Sequence, residues 1–135
     1  MAVFVLTDAS LTVNSISLST YVTQITLDYA RDTVETTSMG ATSHLYTGGL
    51  YNISVTATLN QDFAASTVAA TLDGLIGTPT TVVIKPTSAA VGATNPTYTI
   101  ANATLTGTQP VNGAPGDLAQ MSITFTGGTL TKATS

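Results

Sequence analysis

Few residues in this chain can do chemistry. Its 135 residues include a single histidine, His44, a single glutamate, Glu35, and no cysteine. Without thiols there are no disulfides, thiolate metal sites or cysteine nucleophiles. A metal site would have to combine His44 with carboxylates, and no two ligand types stand at a recognisable spacing. A Ser-His-Asp relay can be drawn on paper, but no Gly-x-Ser-x-Gly elbow presents a serine as nucleophile. Gly48-Gly49 does not join a strand to a helix, so it lacks the setting of a phosphate-binding loop; a hinge or hairpin end with positive φ is expected there. Asp28 falls on the polar side of a strand, and Asp73 and Asp117 fall near turns, where water solvates them. The residue census therefore supports no enzyme and calls for no cofactor or metal.

Charge is as scarce as reactive groups. Only 7% of residues are charged, against about 25% in ordinary soluble domains, so little like-charge repulsion opposes self-association. Two readings follow: the uncharged polar surface of a secreted protein, or a surface that meets copies of itself. A net charge of −4 with three basic residues argues against gripping nucleic acid, which needs Lys and Arg to displace phosphate counterions. The 43% hydrophobic content suffices for one core, and the length suits one domain spanning residues 1–135. Met1 to Asp8 has no basic leader and meets an acid after a short apolar run, so it reads as a strand rather than a signal peptide or membrane span. The sequons Asn52-Ile53-Ser54 and Asn102-Ala103-Thr104 lie inside strand-like runs and read as chance matches.

The elements that must position these side chains are mostly strands. Threonine occurs 29 times, and its β-branched side chain suits a pleated strand. Alternation with a period of two runs through Tyr21–Tyr29, through Tyr51, Ile53, Val55, Ala57 and Leu59, and through Ala119, Met121, Ile123 and Phe125. Val3–Leu6 and Thr81–Ile84 are shorter apolar strands. Between Thr97 and Thr106 the apolar set changes parity, which predicts a bulge near Ala101 or Asn102. Leu11–Leu18 reads as a small hairpin turning at Asn14-Ser15, and Gln109–Gly116 as a turn-rich loop. One helix is expected, capped by Asp62, with Ala65, Val68, Leu72, Leu75 and Ile76 on one stripe and Gly77 and Pro79 ending it. These elements predict a mainly β fold, a β-sandwich or partial barrel with one short helix and a long hairpin loop. That loop, Arg31 to Gly49, is Thr-rich and weakly patterned, and a connection so long is usually functional or mobile. It holds Arg31, Asp32, Glu35 and His44.

One ordered series of segments comprises Val3–Asn14 with its hairpin, Val22–Tyr29, and Thr37-Ser38-Met39-Gly40. It continues through Gly49–Val55, Asn60–Ala65, Val83–Ala90 and Asn95-Pro96-Thr97-Tyr98. In this series the chain resembles the major tail, or tail tube, proteins of long-tailed bacteriophages. It implies subunits assembled as hexameric rings that stack into a hollow tube, in contact with other tail proteins, with DNA passing through unbound. The implied location is the virion tail, assembled in the host bacterial cytoplasm. One sheet of each subunit would join its neighbours as the lumen wall, and the long loop would reach an adjacent ring through Arg31, Asp32, Glu35, Met39, His44 and Tyr46. The loop would be mobile in the monomer and ordered by stacking. Two other functions fit the same features: a capsid decoration or head-to-tail connector protein, and a carbohydrate-binding or adhesin module. The five tyrosines are what keep the last in view.

Overall fold

Alternation of apolar and hydroxyl-bearing residues gives each strand one dry and one wet side, and such strands must share a core. A computed structural model of the chain describes residues 5–64 and 68–134. The strands are β1 (Ser10–Val13), β2 (Ile16–Ser17), β3 (Val22–Glu35), β4 (Tyr46–Asn60), β5 (Pro79–Lys85), β6 (Thr97–Leu105), β7 (Gln120–Thr126) and β8 (Thr129–Ala133), with one helix, α1 (Val68–Leu72). All pair antiparallel in one open sheet of order β2-β1-β5-β6-β7-β4-β3, and β8 also pairs with β6. The sheet curls into a partial barrel around a single core. Leu11 and Val13 of β1, Val82 of β5, Ile100 and Leu105 of β6, Met121, Ile123 and Phe125 of β7, and Val55 and Leu59 of β4 fill it. Val68 and Leu72 of α1 are buried against the same cluster.

Two local devices anticipated from the sequence are present. Asn14 and Ser15 have φ of 51° and 67°, the left-handed pair that lets a two-residue hairpin follow strand twist. In β6, Asn102 has φ 61°; Thr80 faces Ala103 while Val82 faces Ile100, so β6 carries one extra residue there. This bulge accounts for the change of apolar parity.

Other elements differ from expectation. The first two residues of the Val3–Leu6 strand lie outside the described residues, and Val5 and Leu6 are exposed and outside any strand. The described helix is one short α1 followed by a 3-10 turn at Asp73–Leu75. Ala65 of the expected stripe lies outside the described residues, and Ile76 is half exposed, bridging to Leu105. Asp62 accepts a backbone bond from Ala64 at 2.8 Å, ahead of the described helix rather than at its first turn, and Gly77, with φ 76°, ends the run as expected. β8 was not foreseen, because Thr129–Ala133 is short, polar and almost wholly exposed.

The sheet divides at Gly127-Gly128. β7 pairs with β4 from Asn60/Gln120 to Ser54/Thr126; the two glycines, with φ of 78° and 94°, then turn the chain onto β6 as β8. A Cβ on Gly128 would strike the Ala101 carbonyl oxygen and come within 3.1 Å of the Ala103 nitrogen. The bulge and the glycine turn thus fit one another. Gly128→Ala is expected to cost about 2 kcal/mol or more, from backbone strain and overlap together, measured by urea denaturation. A loss below about 0.5 kcal/mol, the scale of ordinary surface substitutions, would contradict this account.

The loop between β5 and β6 is tied down by the buried Asn95, which donates to the carbonyls of Ala89 and Ala90 at 2.9 and 3.1 Å. Ser88 in that loop donates from its hydroxyl to Asp8 at 2.7 Å. This bond, supported by the Ser88 amide, holds the Asp8 carboxyl below its ordinary value. A lowered native pKa contributes stability that is complete above the unfolded value of about 3.9 and is lost as pH falls through the native value. Wild type should therefore exceed Asp8→Asn in stability near neutral pH, with the gap closing in acid. A gap independent of pH would remove the Asp8 charge from the explanation.

Candidate functional site

Beyond the last rung with β7, β3 and β4 continue together as a two-stranded arm, pairing from Tyr29/Ile53 to Glu35/Tyr46. At about 3.3 Å per residue the arm projects on the order of 20 Å. The segment expected to be a loop from Arg31 to Gly49 is thus ladder at both of its ends, and residues 36–45 connect the strands. Its sequence lacked a strand signal because the arm has no core: both sides face water, so no apolar period is imposed.

Cross-strand contacts hold the arm straight. Tyr29 and Tyr51 stack with centroids 5.4 Å apart, and the Arg31 guanidinium lies 4.8 Å from the Tyr51 ring centre. Arg31 also donates from Nε to the Gly49 carbonyl at 2.9 Å. Gly48 is what makes room, since a Cβ there would stand 2.5 Å from the guanidinium carbon. The expected positive φ at Gly48-Gly49 is not found; positive-φ glycines lie elsewhere. Gly48 serves close approach, and Gly49 sits in a bulge where β4 carries one extra residue opposite Asp32. On the opposite side of the arm, Asn52 donates to the Asp32 carboxylate.

At the tip, Glu35 Oε2 receives bonds from the Thr37 hydroxyl at 3.0 Å and from His44 Nδ1 at 2.6 Å. The Leu45 amide donates to the Thr37 hydroxyl at 2.8 Å. Met39 is fully exposed at the apex, and Tyr46 faces Glu35 across the ladder. The arm therefore brings Glu35 and His44 together, pairs Arg31 with Tyr51 and Asp32 with Asn52, and leaves Met39 and Tyr46 open to solvent. Among the described residues no group of three His, Cys, Asp or Glu side chains is placed to hold a metal ion, and no helix is long and apolar enough to cross a membrane.

Two further surfaces were not singled out from the sequence. Phe63, Val111 and Leu118 are exposed at the end of the barrel away from the arm, where Phe63 and Val111 line a shallow groove with Pro110 and Ala114. These apolar residues sit singly among turn residues, so no periodicity marks them. The outer face of β3, β4 and β7 is instead wholly polar. Its rows run Gln24, Thr58, Ser122; then Thr26, Thr56, Thr124; then Asp28, Ser54, Thr126.

No protein-family model matches the chain, and no curated protein sequence matches it. Solved structures do share its fold. A chain of an extracellular contractile injection system, in its sheath and tube terminator in the extended state, superposes with a TM-score of 0.69 at 17% identity over 96% of both chains. A chain of a native gene transfer agent virion gives 0.69 at 12% identity, covering 93% of this chain and 95% of that one. Hcp1 from Flavobacterium johnsoniae gives 0.52 at 15% identity, covering 94% and 95%. Identities this low show a common fold, and it is the fold that the resemblance to tail tube proteins implied.

If the Arg31 contacts stiffen the arm, Gly48→Ala and Arg31→Ala should both speed amide exchange in residues 46–52. Exchange in β6 and β7 should not change, and global stability should shift by no more than about 1 kcal/mol, the scale of an exposed cation–π contact. Unchanged arm exchange in both variants would show that the stack does not hold the ribbon.

Proposed function

We propose that this chain is the repeating structural subunit of a phage tail tube, forming hexameric rings that stack with other tail proteins into a conduit through which DNA passes. One observation carries the reading. The arm exposes Tyr29, Val34, Met39, Leu45, Tyr46, Leu50 and Tyr51, each more than half accessible. A two-stranded ribbon is at best marginally stable alone in water, and so much apolar surface on a projecting element calls for a partner surface. Stacked copies provide one: the arm of one ring, with Arg31, Asp32, Glu35, Met39, His44 and Tyr46, reaches the ring beside it. The exposed apolar end at Phe63 and Val111 lies away from the arm, and a heterologous contact between such separated patches repeats along an axis instead of closing into a dimer. Among the described residues the 14-residue β3 pairs only with β4, leaving its other edge for sheet continuation within a ring, which would remove an aggregation-prone edge. The fold shared with chains of a sheath and tube terminator and of a gene transfer agent virion supports the same role.

Removal of residues 33–47 tests this. The truncated protein should keep the thermal transition of the barrel, because no residue of the core cluster lies in the excised segment. It should stay monomeric in sedimentation velocity at concentrations where the intact chain forms large polymers. Polymerisation of the truncated chain equal to that of the intact one would remove the arm from the assembly.

A further inference from the structure

The turn-rich loop between β6 and β7 holds the one Asn-Gly pair of the chain, Asn112-Gly113. Both residues are exposed and lie in no strand or helix. Gly113 has no side chain to shield its amide, its φ is 145°, and that amide makes no hydrogen bond among the described residues. The other five asparagines are placed differently. Asn95 precedes proline, which has no amide hydrogen. Asn52 and Asn102 are followed by residues held inside β4 and β6. The residue after Asn60, Gln61, bonds through its amide to the Ala119 carbonyl at 3.0 Å. Asn14 is followed by a serine in the tight hairpin turn.

We infer that Asn112 is a site of self-modification, which slowly loses its side-chain amide in the folded protein and thereby changes the apolar end of the barrel irreversibly. The Gly113 nitrogen attacks the side-chain carbonyl carbon of Asn112. A carbon–nitrogen bond forms there, and the bond to the side-chain nitrogen breaks. That nitrogen leaves as ammonia, taking up the Gly113 amide proton. Solvent water then opens the cyclic imide at one carbonyl to give aspartate, or at the other to give isoaspartate, whose backbone is longer by a methylene. This chemistry is one reason asparagine ranks among the thermolabile residues.

The effect of the product follows from the partners Asn112 now has. It donates from Nδ2 to the Gln120 carbonyl at 3.1 Å and to Gln109 Oε1 at 3.3 Å, pinning the loop to the start of β7. A carboxylate has nothing to donate, and both partners are oxygens. Gln109 can turn its amide only by giving up the Ser122 N–H that the same Oε1 accepts at 3.4 Å, and the Gln120 carbonyl cannot turn. The new charge also shares its groove with Asp117, beside Phe63, Pro110 and Val111, where like charges repel. The loop is thus released from β7, and an apolar surface becomes acidic. On the tube reading above, from which this consequence takes its meaning, that end stops accepting the next ring and aged subunits drop out of stacking.

The test holds fresh monomer at mildly alkaline pH, samples it over time by peptide mapping, and then concentrates it for assembly. Asn112 is expected to convert ahead of every other asparagine. Amide exchange in residues 109–119 should quicken as it does so, with exchange in β5 and β6 unchanged. Aged protein and Asn112→Asp should both lose polymerisation while keeping the thermal transition of the barrel. Asn112→Ser, uncharged and unable to convert, should polymerise as fresh protein does. The aged wild type carries the test alone should Asn112→Asp fail to fold. Conversion led by another asparagine, or none at Asn112, overturns the site. Polymerisation of aged protein equal to that of fresh protein overturns its effect on assembly. If fresh protein forms no polymer, the tube reading fails, while the peptide map still decides the site by itself.

Discussion

At Ser54 and Thr126 two strands that have run side by side part company, and most of the shape of this protein follows from that separation. β7 turns through Gly127 and Gly128 and goes on as β8 beside β6, drawing the sheet around its core. β4, released from β7, goes on with β3 as an arm that has no core to rest on. The turn is possible because glycine takes positive φ without penalty and because the bulge at Ala101 and Asn102 gives it a seat. One backbone junction thus makes both the closed part of the molecule and the part that projects.

The same alternation that builds the core also divides the surface. Inward residues of β4 and β7 are aliphatic or aromatic and buried, while their outward neighbours are hydroxyls and amides. Where the strands leave the core, alternation persists but its content changes. Tyr29, Tyr51 and Arg31 take the places that buried side chains hold further down, and stacking replaces burial as the force keeping the ribbon ordered. An arm made this way is preformed and yet exposes apolar side chains to water.

Where burial writes the pattern, the sequence could be read. Ile53 to Leu59 and Met121 to Phe125 alternate because one side is dry, and both are strands with the expected sides inward, whereas Tyr51 of the same expected series lies exposed on the arm. The parity change near Asn102 and the Asn14-Ser15 turn were legible for equally local reasons. Where nothing is buried, legibility ended. Arg31 to Glu35 and Tyr46 to Gly49 are strand without an apolar period, and Thr129–Ala133 is strand only because β6 offers it an edge. Gly48 has a meaning that belongs to its neighbour Arg31 across the ladder. The contact between Glu35 and His44 likewise exists because the ladder ends at Glu35 and Tyr46 and so brings the connection back over Glu35. That all six candidate interface residues share one projecting element was anticipated; that the element is an ordered ribbon was not.

The central claim is that these copies stack into a hollow tube with the arm bridging successive rings. Electron microscopy of the concentrated protein, carried to a helical reconstruction, tests it most directly. The account predicts hollow tubes built of stacked rings, with the density of residues 29–53 crossing from each ring to the next. Isolated rings, trimers or a concentration-independent monomer would contradict it, the first two favouring a connector or decoration protein and the last a binding module.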